Sequence, residues 1–262
     1  MTSEMKPILE IEDLSMVFGG LRAIDCVSMH INSGEIAALI GPNGAGKTTI
    51  FNCITGVYKP TEGTVSIVDS DGGKEKIQGL KPHLINNKGL ARTFQNIRLF
   101  SNMSVLENVM IGRHNSLKGG ILSAIVRDRR TREEEQRILD ESYEILKKIR
   151  LDQFVNETAR NLPYGAQRRL EIARALATDP FLLLLDEPVA GMNPHETKEL
   201  EETINLIREQ EKVTILLIEH DMSLVMNVSE RIYVLDYGRL IAEGTPLEIK
   251  SNREVIKAYL GE

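Results

Sequence analysis

Residues 41–48, Gly-Pro-Asn-Gly-Ala-Gly-Lys-Thr, constrain the fold of this chain more than any other segment. They match the phosphate-binding pattern GxxxxGK[ST], which requires a buried strand before it and a helix after it. Both are indicated, because residues 36–40 form an apolar run, and Ile50, Phe51 and Ile54 share one face of a helix. The pattern therefore predicts a strand, loop and helix of an α/β fold, with the loop facing an anion.

The chemistry of this loop indicates a nucleoside triphosphate. Glycines let successive backbone N–H groups turn toward an oxyanion, with the positive end of the helix dipole behind them. Lys47 is expected to reach the β- and γ-phosphates, and the Thr48 hydroxyl to ligate Mg²⁺. A chance match in a chain of this length is on the order of 1 in 100, which disfavours a merely glycine-rich turn. The residues predicted to bind ATP here are Gly41, Pro42, Asn43, Gly44, Ala45, Gly46, Lys47, Thr48 and Thr49.

Two carboxylates follow a second buried run. Four consecutive leucines, residues 182–185, lead to Asp186 and Glu187. Open α/β sheets bind ligands at the carboxyl ends of their strands, so this pair is expected beside the phosphate-binding loop. Asp186 is predicted to hold the hydration shell of Mg²⁺, and Glu187 to polarise the attacking water as general base. Without the loop, an apolar run ending in Asp-Glu would often be only a strand end.

The remaining pattern divides the chain into a core and an insert. Residues 213–218 and 232–235 are further apolar runs typical of buried parallel strands, and the turn 236–238 predicts a small hairpin. From about residue 95 to 163 the pattern is helical, as in residues 133–149, where Ile138, Leu139, Ser142, Ile145 and Leu146 recur at helical spacing. We therefore predict a single domain, 1–262, whose α/β core (1–94 and 164–262) carries a helical subdomain.

Composition limits the classes of partner. Lys plus Arg number 32 and Asp plus Glu 38, a net charge of -6 that argues against a general nucleic-acid binder. Two cysteines are too few for a disulfide framework and favour a reducing compartment. The longest apolar stretches are far shorter than a membrane span, so a role at a membrane would require other chains to cross it.

The order of the motifs resembles that of ABC transporter ATPases. This resemblance rests on the phosphate-binding loop, Gln95, and residues 162–168, 185–188 and 219–221. Finer features are similar to the subfamily serving branched-chain amino acid uptake, at residues 91–95, 170–176, 190–194 and 259–262. The resemblance implies a RecA-like P-loop NTPase core with an N-terminal antiparallel β layer and an inserted helical subdomain.

The resemblance also implies roles that the residues alone would not support. Phe18 would stack on adenine, although a lone Phe near a strand is more often part of a core. Gln95 would touch Mg²⁺ and the attacking water, beside a groove that receives a helix of a membrane subunit. His220 would contact the γ-phosphate and align Glu187 with water. The predicted catalytic residues are thus Glu187, His220 and Gln95, and the predicted Mg²⁺ ligands are Thr48, Gln95 and Asp186.

One segment departs from the family pattern. The signature Leu-Ser-Gly-Gly-Gln, which binds ATP held by the opposite subunit, has Pro163 for its serine, Tyr164 for its first glycine and Ala166 for its glutamine. Pro163 lacks both the hydroxyl and a backbone N–H. The N–H groups of Tyr164, Gly165 and Ala166 are expected to remain available to that ATP, with weakened binding. Asn193 also stands where an aspartate is common.

The implied function is ATP hydrolysis that powers an importer, with branched-chain amino acids as the first solute to consider. The implied partners are transmembrane permease subunits, a second ABC ATPase and, indirectly, a solute-binding protein. The chain would then be cytoplasmic and peripheral on the inner face of the plasma membrane. An importer of urea or short amides and a lipopolysaccharide exporter remain alternatives.

A different class of function also remains open. ABC proteins that act on ribosomes or DNA, without transport, usually carry two ATPase domains or long coiled-coil arms. One motif set and no sustained heptads argue against that class. A structural module without hydrolysis is disfavoured because Lys47, Asp186, Glu187 and His220 are all present.

Overall fold

The computed structural model describes residues 6–69, 71–114 and 129–260. Its strands in chain order are β1 (Pro7–Phe18), β2 (Leu21–Asn32), β3 (Ile36–Ile40), β4 (Glu62–Val68), β5 (Lys74–Lys76), β6 (Leu90–Arg92), β7 (Leu182–Asp186), β8 (Thr214–Ile218), β9 (Arg231–Asp236) and β10 (Arg239–Gly244). Its α-helices are α1 (Lys47–Ile54), α2 (Pro82–Asn86), α3 (Val105–His114), α4 (Arg129–Lys148), α5 (Tyr164–Leu176), α6 (Pro194–Glu211), α7 (Met222–Val228), α8 (Pro246–Ser251) and α9 (Arg253–Leu260). Two residues of the ending motif, Gly261 and Glu262, lie outside the described residues.

A six-stranded sheet carries the predicted motifs. Its order is β10-β9-β3-β8-β7-β6, and all pairs are parallel except β10 with β9. Every residue of β3, β7 and β8 is buried, which explains why these strands are continuous apolar runs. Because the strands are parallel, the segments that follow β3, β7 and β8 emerge at the same edge of the sheet.

An antiparallel layer of order β2-β1-β4-β5 forms the second sheet. The apolar face of α1, with Ile50, Phe51 and Ile54, packs in one core with side chains of both sheets. The predicted α/β core with an N-terminal antiparallel β layer is confirmed. This packing fixes the start of α1, and with it the phosphate-binding loop, against both sheets.

Helices dominate the described part of residues 95–163. It contains α3, α4, two 3-10 turns (Asp152–Phe154 and Ala159–Asn161) and an isolated bridge between Ser104 and Thr158. On α4, Ile138, Ser142, Ile145 and Leu146 are buried, whereas Leu139, grouped with them from the sequence, is 37% exposed. Since α5 also packs on α3 and α4, the limits of the subdomain stay a prediction.

The predicted hairpin supports the phosphate-binding loop. Strands β9 and β10 pair around Tyr237 and Gly238, whose φ angles of 42° and 79° are both positive, as in a type I′ turn. The N–H of Gly238 donates to the carbonyl of Ala45 at 3.0 Å, and its own carbonyl accepts from the N–H of Asp25. A side chain at Gly238 would meet the carbonyl oxygen of Ala23 at 2.6 Å, so this turn requires glycine.

Within the described ranges, none of the helices combines the length and apolarity needed to cross a membrane.

Candidate active site

The phosphate-binding loop requires glycine at two positions, because strands β9 and β2 lie too close to leave room for a side chain there. Gly41 has a φ of 149°, and a Cβ there would lie 2.1 Å from the carbonyl oxygen of Leu235 on β9. Gly46 has a φ of 105°, and its Cβ would lie 2.5 Å from Cδ1 of Ile24 on β2. The glycines of the motif thus allow close backbone approach as well as the turn itself.

Lys47 lies inside the loop. Its Nζ donates to the carbonyl oxygens of Gly41 at 2.7 Å and Pro42 at 3.0 Å, and the residue is 6% exposed. Burial lowers the pKa of the Lys47 ammonium below its ordinary value, while the charges of Glu187 and Asp186 oppose this effect. The ammonium is therefore held close to the two predicted carboxylates.

Glu187 follows β7 in a conformation that is rare for a residue with a side chain. Its φ is 45°, and its N–H donates to the carbonyl of Ile218 at 2.9 Å. Its Oε2 accepts a hydrogen bond from Nε2 of Gln95 at 2.7 Å, and its Oε1 lies 3.9 Å from Nδ1 of His220. The three predicted catalytic side chains thus lie together. The backbone of Glu187 is of the strained kind that clusters at functional sites.

His220 is open to solvent, with 60% of its side chain exposed. That exposure disfavours a buried structural histidine. The preceding residue, Glu219, is fully buried, and its carboxylate accepts from the N–H groups of Val189, His220 and Asp221 at 3.0, 2.9 and 3.2 Å. Burial raises the pKa of the Glu219 carboxyl, and these hydrogen bonds oppose the rise. Glu219 joins the segments after β7 and β8, a role that we did not predict although it directly follows a buried strand.

Asp186 is paired with Arg92, for which no role was predicted. Its Oδ2 accepts from Nη2 of Arg92 at 2.6 Å, and both side chains are buried. Arg92 ends β6, the neighbour of β7 in the sheet. The sequence signal that could have predicted this ion pair was a basic residue at the end of an apolar strand.

The backbone that carries Gln95 is anchored to α5. Arg168 is fully buried, and its guanidinium donates to the carbonyls of Phe94 and Gln95, both at 2.6 Å, and to Glu171 at 2.9 Å. Arg168 belongs to one of the motifs that carry the resemblance, but this contact was not predicted. Arg168 thus links the signature segment to Gln95, whose side chain contacts Glu187.

The predicted metal ligands fit Mg²⁺ by their chemistry. A hydroxyl from Thr48, an amide oxygen from Gln95 and a carboxylate from Asp186 are the oxygen donors that Mg²⁺ prefers. Across residues 6–69, 71–114 and 129–260, no three His, Cys, Asp or Glu side chains form a metal-binding group. Mg²⁺ is usually held by one or two carboxylates together with substrate phosphates, and the three predicted ligands include one carboxylate.

Phe18 ends β1 on the surface. It is 40% exposed, and its ring meets Tyr58 edge-on with 5.2 Å between centroids. This exposure disfavours the core interpretation and leaves part of the ring open to a base.

We expect Phe18→Ala to weaken nucleotide binding by about 1–3 kcal/mol, the scale of base–aromatic stacking. ATP and GTP should lose similar affinity, because both purines offer a π-face. Equilibrium titration with both nucleotides tests this. Tyr143→Ala is a matched control, because Tyr143 is equally exposed at 39% but lies on α4. Unchanged affinity of Phe18→Ala with lowered thermal stability would instead support a packing role.

The signature segment begins α5, with Pro163 as the residue before Tyr164. The hydroxyl of Tyr164 donates to the carbonyl of Ala190 at 3.0 Å. The contact of the Gly165 N–H with an opposite ATP stays a prediction, because in the described conformation this N–H donates to Oε1 of Glu196 at 3.0 Å. The reason is electrostatic, since the first N–H groups of a helix attract a carboxylate.

Glu196 also explains the asparagine noted at position 193. The side chain of Asn193 caps α6 by accepting from the N–H groups of His195 and Glu196. Glu196 Oε2 in turn accepts from the N–H of Asn193 at 3.1 Å, which completes a capping box. One carboxylate therefore joins the first turns of α5 and α6.

The carboxyl-terminal helix reaches the phosphate-binding loop. Partial burial raises the pKa of the Tyr259 hydroxyl, and the backbone of Gly41 beside it opposes this rise. Lys257 and Ala258 line a cavity together with residues 42–45. Tyr259 belongs to the ending motif, residues 259–262, and its position beside the loop was not predicted.

Comparisons with known proteins agree with this geometry. The family model "ABC transporter" matches residues 24–190, and "Branched-chain amino acid ATP-binding cassette transporter" matches residues 239–262. The chain is 49% identical to the high-affinity branched-chain amino acid transport ATP-binding protein LivG of Salmonella typhimurium, over 98% of this chain and 99% of the relative. It is 47% identical to the corresponding protein BraF of Pseudomonas aeruginosa, over the same shares.

The fold is likewise similar to a solved one. An ATP-binding cassette of an ABC transporter in its ADP conformation superposes with a TM-score of 0.82 at 32% identity, covering 98% of this chain and all of that one. The resemblance inferred from the motifs is confirmed, including its branched-chain amino acid subfamily. ABC cassettes of this kind are nucleotide-binding ATPases that power transport. This chain belongs to the ABC transporter family, as one of its ATP-binding cassettes.

Proposed function

We propose that this chain binds ATP with Mg²⁺ and hydrolyses it to power an importer of branched-chain amino acids. One observation supports the chemistry above all: Gln95, Glu187 and His220 meet where β7 and β8 end, at the edge that also carries the phosphate-binding loop. The solute is proposed from the names of the LivG and BraF relatives and from the family model over residues 239–262.

In the proposed reaction, the phosphates are bound by the Lys47 ammonium and by backbone N–H groups of residues 41–49, apart from Pro42, which has no N–H. Phe18 stacks on the adenine. Thr48, Gln95 and Asp186 would hold Mg²⁺, which supplies charge neutralisation on the phosphate oxygens. Glu187 accepts a proton from the attacking water. Gln95 holds one oxygen of that carboxylate by its 2.7 Å hydrogen bond. The products are ADP and phosphate.

Two cassettes would clamp two ATP molecules between them. The signature segment of the opposite cassette, with Tyr164, Gly165 and Ala166, would complete each ATP-binding site. The carboxylate of Glu196 must then release the N–H of Gly165. ATP favours the closed pair and hydrolysis releases it, because the nucleotide has different affinities for the two states. Closure would move helices of transmembrane permease subunits, which hold the chain at the inner face of the plasma membrane.

Reconstitution in vesicles tests the function as a whole. The chain, its permease subunits and a second ATPase are assembled with a solute-binding protein, and ATP-driven uptake of labelled leucine is measured. The matched control is the same complex carrying Glu187→Gln. Uptake of urea or short amides instead, or ATPase activity stimulated by ribosomes or DNA and not by permease subunits, would contradict the proposal.

The altered signature segment predicts a weak homodimer. Pro163 supplies neither a hydroxyl nor an N–H, and the N–H of Gly165 already has a partner. In a Glu187→Gln background, we expect the isolated chain with ATP to be monomeric or weakly dimeric. Pro163→Ser should tighten dimerisation about tenfold or more, the scale of one hydrogen bond to a charged group.

Analytical ultracentrifugation with and without ATP makes this comparison. Pro163→Ala is the control, because it removes the proline ring without adding a hydroxyl. A tight ATP-bound homodimer in the background protein would show that the remaining N–H groups suffice. The physical argument for a different partner ATPase would then fail.

A further inference from the structure

Arg92 connects three parts of the nucleotide site. Its Nη2 donates to Oδ2 of Asp186 at 2.6 Å. Its Nη1 donates to Oδ1 of Asn52 on α1 at 2.7 Å and to Oγ1 of Thr55, the C-cap residue of α1, at 3.1 Å. Arg92 also lies three residues before Gln95 in the chain. Its guanidinium therefore joins a predicted metal ligand to α1 from the segment that carries a predicted catalytic residue.

Both charges of the Arg92–Asp186 pair are withdrawn from water. The side chains are 9% and 6% exposed, respectively. The guanidinium carbon lies 5.5 Å from the ring centroid of Phe51 and 5.4 Å from that of Phe94. Nε of Arg92 is buried without a hydrogen-bond partner. A charge in such surroundings is strongly unfavourable unless it is paired, so each member of the pair depends on the other.

We propose that Arg92 is the counter-cation of Asp186, holding this carboxylate in place in the metal-free site and competing with magnesium for it. This inference rests on the proposed function, which makes Asp186 a ligand of Mg²⁺. Arg92 is a positioning residue in this scheme, because it acts through Asp186 and not on the nucleotide.

The scheme makes opposite predictions for stability and for metal binding. Without the Arg92 charge, the metal-free protein keeps a buried carboxylate that lacks a partner, and its stability falls. The same uncompensated carboxylate attracts a divalent cation more strongly, because a positive charge at close range no longer opposes the metal. A purely structural arginine would lower stability without lowering the magnesium requirement.

The experiment titrates Mg²⁺ into the protein with a fluorescent, non-hydrolysable ATP analogue. For Arg92→Met, the half-saturating Mg²⁺ concentration should fall about tenfold or more relative to the unmodified protein. Arg92→Lys keeps the charge and should behave as the unmodified protein does. Arg98→Met is the matched control, because its guanidinium also lies over the Phe94 ring, at 4.3 Å, but Arg98 is exposed and the Arg92–Asp186 pair stays intact.

Thermal unfolding without metal or nucleotide provides the second readout. Arg92→Met and Asp186→Asn should each lower Tm by about 10 °C, the expected size for breaking a buried ion pair in a chain of this length. The double variant should lose clearly less than the sum, since neither charge is then left alone. Arg92→Gln, which can still donate to α1, replaces Arg92→Met if the latter does not fold.

Two results would overturn the assignment: the same half-saturating Mg²⁺ concentration in the Arg92→Met, Arg98→Met and unmodified proteins, or additive losses of Tm in the double variant. Failure of the proposed function looks different. In that case the unmodified protein would bind the ATP analogue without any dependence on Mg²⁺, whereas the metal-free unfolding cycle would still report on the pair.

Discussion

ATP hydrolysis is expected to fall by about 10²-fold or more in Glu187→Gln, because glutamine keeps the shape of the side chain but cannot accept a proton from water. The surroundings of Glu187 make this a clean substitution. Its backbone is held by the hydrogen bond to Ile218, and Gln95 contacts only one of its two carboxylate oxygens. ATP binding should therefore survive, and the closed dimer of the assembled complex should accumulate.

Phosphate release measured beside equilibrium ATP binding distinguishes these effects. Glu209→Gln removes an exposed carboxylate from α6 and serves as the control, with unchanged hydrolysis. Glu187→Asp is informative as well, because the shorter side chain keeps a base but moves it away from the water. Hydrolysis by Glu187→Gln at close to the rate of the unmodified protein would show that another group is the base.

Lys47→Ala and His220→Ala are expected to separate nucleotide binding from chemistry. Lys47 lies inside the loop with its ammonium 2.7 Å from the carbonyl oxygen of Gly41, so its loss removes the cation nearest the predicted phosphates. We expect ATP affinity to fall by about 10²-fold, the scale of one strong charge-assisted contact. His220 is exposed and 3.9 Å from Glu187, so His220→Ala should keep the affinity and lower turnover by about 10²-fold.

Titration with a fluorescent ATP analogue measures the affinity, and phosphate release measures the turnover. Lys198→Ala on α6 and His83→Ala on α2 remove the same residue types from exposed positions and should change neither quantity. Equal loss of affinity in Lys47→Ala and His220→Ala would mean that His220 binds the ground state and has no separate role in turnover.

The confirmed parts of the fold were those that short segments encode. Residues 36–40, 182–185 and 213–218 are continuous apolar runs because the strands they form are buried on both faces. Parallel strands place their carboxyl ends at one edge, so Asp186 and Glu187 could be expected beside the phosphate-binding loop from the sequence alone. The roles assigned to Phe18, Gln95 and His220 came from the resemblance, since isolated residues of these types usually have ordinary structural roles.

Other features depend on contacts that a single sequence does not display. Leu139 shares the predicted apolar face of α4 but is 37% exposed, because helical periodicity specifies a face and not how far its packing partner extends. The N–H of Gly165 was expected to be free until Glu196, 31 residues away, proved to accept from it. A helix terminus attracts a carboxylate, but the sequence does not tell which one.

By itself, the sequence determined the phosphate-binding loop, the strands around it and the carboxylates that follow them, because backbone conformation and burial periodicity are local properties. Only the tertiary structure decided how the buried charges pair: Arg92 with Asp186 across 94 residues, and Arg168 with the carbonyls of Phe94 and Gln95. A buried charge requires a partner of opposite charge or a hydrogen-bond acceptor, but the sequence alone does not distinguish among the several residues that could provide one. The choice among them is made when sheet order and helix packing bring two distant side chains within hydrogen-bond distance.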